Sequence, residues 1–164
     1  ITDGPIVRIT SGPAQHAIGG RLRVPVTTLT EVLVRKDDCC ESETRMIGPE
    51  DVIETLWQRL MRGLEGFHSA LVAVDDTDSP IGLAHILLHR STWSNGWYCY
   101  LEDLFVDPAR RQMGVGRALI EAVYAEADAR RCARVYWMTQ ETNATARTLY
   151  DRVASKSPFV QYRR

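Results

Sequence analysis

Residues 100–119 read Tyr-Leu-Glu-Asp-Leu-Phe-Val-Asp-Pro-Ala-Arg-Arg-Gln-Met-Gly-Val-Gly-Arg-Ala-Leu, and the periodicity changes once within them. Up to Val106 the stretch is a strand that begins near Trp97. Beyond Asp107-Pro108, Gly116, Leu119, Ile120, Val123 and Ala127 mark one face of a helix running to about residue 130. The join holds Arg111, Gln112, Met113, Gly114, Val115, Gly116 and Arg117. Glycines let the chain turn tightly and let a ligand approach the backbone. The first N–H groups of a helix lack internal partners and sit at its positive end, so this join can hold a phosphate. Arg111 and Arg117 can add charge-assisted hydrogen bonds. A P-loop needs GxxxxGK[ST], which is absent, and a dinucleotide fingerprint needs a small residue where Leu119 stands. Taken alone, the two glycines fit equally well a helix start with close packing.

Working outward, residues 69–75, 81–89 and 97–106 read as three strands joined by turns at 76–80 and 94–96, an antiparallel meander. After the helix, residues 134–139 read as a strand, 143–152 as a helix and 158–162 as a last strand. A crossover helix between two strands of one sheet makes them parallel. Upstream, residues 5–10 alternate as a strand does, and Pro49 opens a helix carrying Val52, Ile53, Leu56, Leu60 and Leu64. Residues 11–48 give no clear element. The fold class is therefore α/β (mixed α+β), a mixed sheet with helices on its faces.

The length of 164 residues suits one domain, taken as 1–164. A formal net charge of −1 supplies no global field for nucleic acid or an anionic membrane, so an anionic ligand must be held by local geometry. No apolar run reaches the ~20 residues that span a bilayer. Four cysteines without CxxC spacing, Cys39 and Cys40 being adjacent, fit a reduced cytoplasmic setting.

Glu102 and Asp103 sit inside an apolar strand, where strict alternation points them to opposite faces. Burying a carboxylate is costly unless it is paired. Each therefore either pairs with a buried partner or handles a substrate. Asn143 is a good N-cap, and Asn143, Ala146 (or Arg147) and Tyr150 share one face of the last helix. By itself Tyr150 reads as an amphipathic core residue with its hydroxyl at the surface. His85 and His89 share a strand face but suggest no further ligands, so no metal is expected. His85, His89 and Trp93 can reach an acceptor pocket. Trp57, Trp93, Trp97 and Trp137 read as core or pocket wall. No GxSxG nucleophile occurs. Cys99 is at most a bystander near the site.

The order strand, V-D-P, R-x-x-G-x-G, helix, strand, N-x-x-A-x-x-L-Y resembles the GCN5-related N-acetyltransferase (GNAT) superfamily over about residues 70–162. The resemblance implies a central mixed sheet of about six to seven strands, a meander plus a parallel pair, flanked by helices on both faces. It implies that Arg111 to Arg117 bind the pyrophosphate of acetyl-CoA. The backbone of Leu104, Phe105 and Val106 would pair with the pantetheine arm, and Asn143 and Ala146 would contact it. Tyr150 becomes the general acid for the departing thiolate, and Glu102 or Asp103 contacts or deprotonates the amine, with direct attack in a ternary complex. Y-L-E-D-L-F-V is similar to the diamine and polyamine acetyltransferase branch. V-Y-W-M-T-Q-E-T-N and F-V-Q-Y are similar to members that acetylate histones and polyamines. The expected partners are acetyl-CoA and a primary amine (polyamine, small amine or lysine/peptide amine), with neither nucleic acid nor membrane, and a possible homodimer through 158–162. A non-catalytic acyl-CoA-binding module is the alternative. Residues 14–43 depart from the family pattern, as do Gln112 and Met113, where glycine and a basic residue are frequent.

Overall fold

The computed structural model describes residues 68–77 and 79–164. The strand expected at 5–10 and the helix opened by Pro49 lie outside the described residues. The meander comprises β1 (His68–Val74), β2 (Pro80–Arg90) and β3 (Trp97–Val106). A 3-10 turn (Pro108–Arg110) leads into helix α1 (Val115–Ala129). Strand β4 (Cys132–Tyr136) and helix α2 (Ala144–Val153) come next. Among the described residues the sheet has four strands in the order β1-β2-β3-β4, with the first two pairings antiparallel and β3–β4 parallel.

The turn after β1 is built by one carboxylate. Asp75 Oδ1 accepts from the Thr77 N–H at 3.0 Å, the Thr77 hydroxyl at 2.7 Å and the Ser79 N–H at 3.1 Å. Its Oδ2 accepts from Arg110 at 3.0 Å, tying this turn to the loop after β3. Asp107 Oδ1 caps the 3-10 turn by accepting from Ala109 N–H.

α1 packs on all four strands. It buries Val115, Leu119, Ile120, Ala122, Val123 and Ala127, the apolar face its periodicity predicts. Each large side chain so buried contributes about 1.5–3 kcal/mol. The facing sheet residues are Leu71 and Ala73 of β1, Ala84, Ile86 and Leu88 of β2, and Cys99 and Leu101 of β3. Gly82 also faces α1: a Cβ there would stand 3.0 Å from Leu119 Cδ1 and 3.1 Å from Phe105 O. Cys99 belongs to this core, and burial pushes its thiol up to about 12.

β3 departs from strict alternation. His85 of β2 pairs with Asp103, but the next residue, Ile86, pairs with Leu101, so the register skips Glu102. Before this bulge the odd positions Cys99 and Leu101 face α1; after it the even positions Leu104 and Val106 pack there. Glu102 and Asp103 therefore lie together on the face away from α1. This corrects the expectation of opposite faces: a β-bulge inserts one residue and re-aims the side chains beyond it.

One strand boundary and one element also differ from the pattern of the sequence. β4 ends at Tyr136 rather than continuing to 139. Residues 158–162 form no strand, and Phe159, Val160 and Tyr162 are exposed. Strand-favouring residue types do not supply the neighbour whose backbone a strand needs.

Candidate active site

The site begins where β3 meets α1. Gly114 is the N-cap of α1 with φ 86°, and no side chain caps the helix. Space around it is open, since a Cβ there would meet nothing within 4 Å. The first internal helix bond runs from Ala118 N–H to Gly114 O at 3.0 Å. The N–H groups ahead of it lie at the positive end of the helix, and the first turn carries no acid. An open, uncapped helix start of this kind fits a phosphate group, the anionic part of a coenzyme A ester.

Gln112 holds φ 63°, which for a residue with a Cβ costs about 1–2 kcal/mol. Gly116 has a packing role as well: its Cβ position lies 3.4 Å from Leu149 Cδ2 of α2. Arg111 Nε donates to Val106 O at 3.2 Å, pinning the loop to the end of β3. Arg117 Nε donates to Glu121 at 2.8 Å on the exposed face of α1. A guanidinium has five donors, so each arginine still presents N–H groups to an anion. Met113 is exposed on the same loop.

The parallel ladder between β3 and β4 stops at Tyr100↔Tyr136, while β3 continues to Val106. The ladder stops because β4 itself ends at Tyr136. Among the described residues no strand pairs with the β4-side edge along Leu104, Phe105 and Val106. Such an edge can accept an extended chain by backbone pairing.

α2 borders this opening. Tyr150 packs edge-on against Trp137, centroids 5.3 Å apart, and joins the margin of the α1 core with Leu149 and Val153. A phenol holds its proton at neutral pH, and partial burial pushes this one further above the ordinary value. Its hydroxyl has no hydrogen-bond partner among the described residues. Asn143 caps α2: its Oδ1 accepts from Ala146 N–H at 3.3 Å and its Nδ2 donates to Thr139 at 3.2 Å. Both polar ends of Asn143 thus have internal partners, and the N-cap expectation holds.

The face away from α1 carries the titratable groups. Asp103 Oδ2 stands 3.1 Å from His85 Nδ1, with side-chain exposures of 20% and 6%. A carboxylate only accepts, so Nδ1 carries the proton in this pair. His85 Nε2 is buried without a hydrogen-bond partner, which costs about 1–3 kcal/mol. His89 is bonded at both nitrogens: Nδ1 donates to Arg90 O at 2.9 Å, and Nε2 accepts from Tyr136 hydroxyl at 2.8 Å. Tyr136 stacks on Tyr100 with centroids 4.9 Å apart. Burial first, and Glu102 second, push both of these phenols up. The charge of Glu102 thus acts on both phenols across the face away from α1.

Sequence reasoning brought together the cradle, the β3 acids and Tyr150. It missed the His85–Asp103 bond and Tyr136. Antiparallel pairing of β2 with β3 was readable, but the loop over 91–96 leaves the register open, and the bulge shifts it again. Trp93 corrects an expectation: it is 92% exposed in that loop and does not belong to the core. Trp97 and Trp137 do pack against the core, Trp97 beneath the Arg90 guanidinium. Trp57 lies outside the described residues. Among the described residues no group of three or more His, Cys, Asp or Glu could hold a metal ion. Likewise no helix is long and apolar enough to cross a membrane.

The sequence profile of the Acetyltransferase (GNAT) family matches residues 32–154. The chain belongs to the GNAT acetyltransferase family. It is 37% identical over 120 residues to a D-amino-acid N-acetyltransferase of Saccharomyces cerevisiae, covering 73% of this chain and 74% of that one. It is 33% identical over 76 residues to a thialysine N-epsilon-acetyltransferase of Caenorhabditis elegans, 46% of this chain and 47% of that one. Among solved structures, AAC(6')-Iy in complex with the bisubstrate analogue CoA-S-monomethyl-acetylneamine shares the fold. Its TM-score is 0.63 at 20% identity, over 73% of this chain and 82% of that one. The GNAT fold is thus the one seen here, with its mixed sheet, parallel strand pair and flanking helices. As a GNAT acetyltransferase the protein is an enzyme of acyl transfer.

Proposed function

We propose that the protein moves an acetyl group from acetyl-CoA to a primary amine (a polyamine, another small amine or a lysine or peptide amine) by direct attack in a ternary complex. The observation that carries this reading is the uncapped, acid-free start of α1 at Gly114, set beside the open edge of β3. The backbone from Gly114 to Arg117 holds the pyrophosphate, with Arg111, Gln112 and Met113 forming the loop before it. Leu104, Phe105 and Val106 pair with the pantetheine arm, and the helix face of Asn143 and Ala146 lies along it. Bound there, acetyl-CoA supplies an acyl group on a thiol leaving group whose pKa is near ~8.5. Tyr150, a phenol that partial burial raises further above its ordinary value, is protonated at neutral pH and donates that proton as the thiolate departs. Glu102 and Asp103, turned to one face by the bulge, bind the ammonium form and take its proton. The relatives that acetylate amino-acid amines support an amine acceptor, and the neighbour solved with a CoA-bearing analogue supports the cradle.

In this reading the chain is one catalytic domain working in the cytoplasm, without a metal, on acetyl-CoA and an amine. The test is thiol release from acetyl-CoA with polyamines, D- and L-amino acids, histone-tail peptides and aminoglycosides. Turnover with at least one amine is expected. Acetyl-CoA binding with no turnover on any of them would overturn the enzyme in favour of an acyl-CoA-binding module.

A further inference from the structure

We propose that His85 is a positioning residue for the acceptor amine, acting through the Asp103 carboxylate. The proposal rests on the acetyltransferase reading above and adds a residue to its acceptor side.

His85 and Asp103 are direct cross-strand partners in the β2–β3 ladder, at the step where the register jumps. The bulge turns the carboxylate onto the face shared with Glu102, and the Nδ1–H of His85 takes one of its oxygens at 3.1 Å. That bond fixes the plane of the carboxylate and so the direction of its other oxygen. The surroundings favour a strong bond. Leu83 is 1% exposed and Phe105 5%, both on the face away from α1, and a low local dielectric strengthens a hydrogen bond to a charged acceptor.

Stability alone does not explain the imidazole. Its second nitrogen, Nε2, is buried without a partner among the described residues. An apolar residue between Leu83 and Leu87 would remove that penalty and fill the same sheet face. His85 therefore keeps a cost that only the bond to Asp103 offsets. That bond holds a group on the face where the amine must arrive. His89, on the same face, differs in having both nitrogens bonded. The imidazole touches neither the acyl group nor the amine in this scheme; it orients the acid that does.

The test compares wild type with His85→Leu, His85→Asn, Asp103→Asn and the double variant His85→Leu/Asp103→Asn. Each is assayed for steady-state kinetics in both substrates and for acetyl-CoA affinity by calorimetry. For His85→Leu, kcat/KM for the amine should fall on the order of tenfold to a hundredfold, the worth of one hydrogen bond to a charged group. Acetyl-CoA affinity should stay within about twofold of wild type, because the α1 cradle is untouched. His85→Asn, whose amide N–H can replace Nδ1–H, should recover most of the loss. The double variant should be no worse than Asp103→Asn alone, since both changes remove one interaction. An unchanged kcat/KM for the amine in His85→Leu, equal losses for both substrates, or additive losses in the double variant would each overturn the role of His85 while leaving the acetyltransferase reading intact. If His85→Leu does not fold, His85→Asn and Asp103→Asn decide: unchanged amine kinetics in Asp103→Asn, or no recovery in His85→Asn, overturns it. Absence of turnover in wild type overturns the parent reading and this one with it.

Discussion

Tyr150 occupies a place where removing one oxygen separates packing from chemistry. Its ring meets Trp137 edge-on, and phenylalanine preserves that contact. The hydroxyl has no partner among the described residues, so Tyr150→Phe should cost less than about 1.5 kcal/mol of stability. If the hydroxyl protonates the leaving thiolate, kcat should fall by about 10²–10⁴-fold with acetyl-CoA affinity retained. Steady-state kinetics and a melting curve on the same sample check both halves. The pH profile adds a sign. Burial raises the phenol, so the protonated, donating form persists to higher pH than in free tyrosine. In wild type, kcat should therefore hold past about pH 10, the ordinary phenol value, instead of falling through it. A fall with a midpoint near that value would show a solvent-like tyrosine.

Among the secondary-structure elements, the start of α1 and the β1–β2 turn each rest on one residue whose replacement has a measurable sign. Gly114→Ala meets no steric neighbour, so its effect is purely that of the left-handed backbone. It should destabilise by about 1–2 kcal/mol and raise the KM for acetyl-CoA more than that for the amine, as read from denaturant melts and kinetics. Asp75 is held below its ordinary value first by the Thr77 hydroxyl, then by the backbone of Thr77 and Ser79, with Arg110 contributing. Its folded-state pKa lies below its unfolded one. The stability it confers is present above about pH 4 and is lost as pH falls through the lower, folded value. Melting temperatures of wild type and Asp75→Asn should differ at pH 7 and converge in acid.

These elements also show what a sequence can and cannot disclose. The meander, α1 and α2 were legible because each carries its own apolar period and its own caps or turns, as Asn143 and the Asp75 turn do. The glycine turn was legible because Gly114 stands where a Cβ is unfavourable. The bulge at Glu102 was not, since it has no glycine or proline to mark it and arises from how β2 and β3 align. The strand expected at 158–162 failed for a related reason: Phe159, Val160 and Tyr162 are strand-favouring residue types, yet pairing belongs to the neighbour as much as to the segment. The His85–Asp103 bond stayed hidden behind the same register.

For the molecule as a whole, ligand binding and stability are linked. A coenzyme held by the native chain alone, at a hundred times its Kd, adds about 2.7 kcal/mol. For a chain of this size that raises the melting temperature by roughly 5–10 °C. Coenzyme A should produce this rise in wild type and a smaller one in Gly114→Ala at the same concentration, as measured by thermal shift. The net charge of −1 means that the rise depends on the local cradle rather than on a basic surface. The end of β4 at Tyr136, opposite Tyr100 with β3 running on to Val106, gives the same linkage a second face. An edge that no strand pairs among the described residues is a template for an extended molecule and equally for a strand from a second copy. Coenzyme seated along Leu104 to Val106 would then act as a plug against self-association, and storage of the protein without it should favour aggregation.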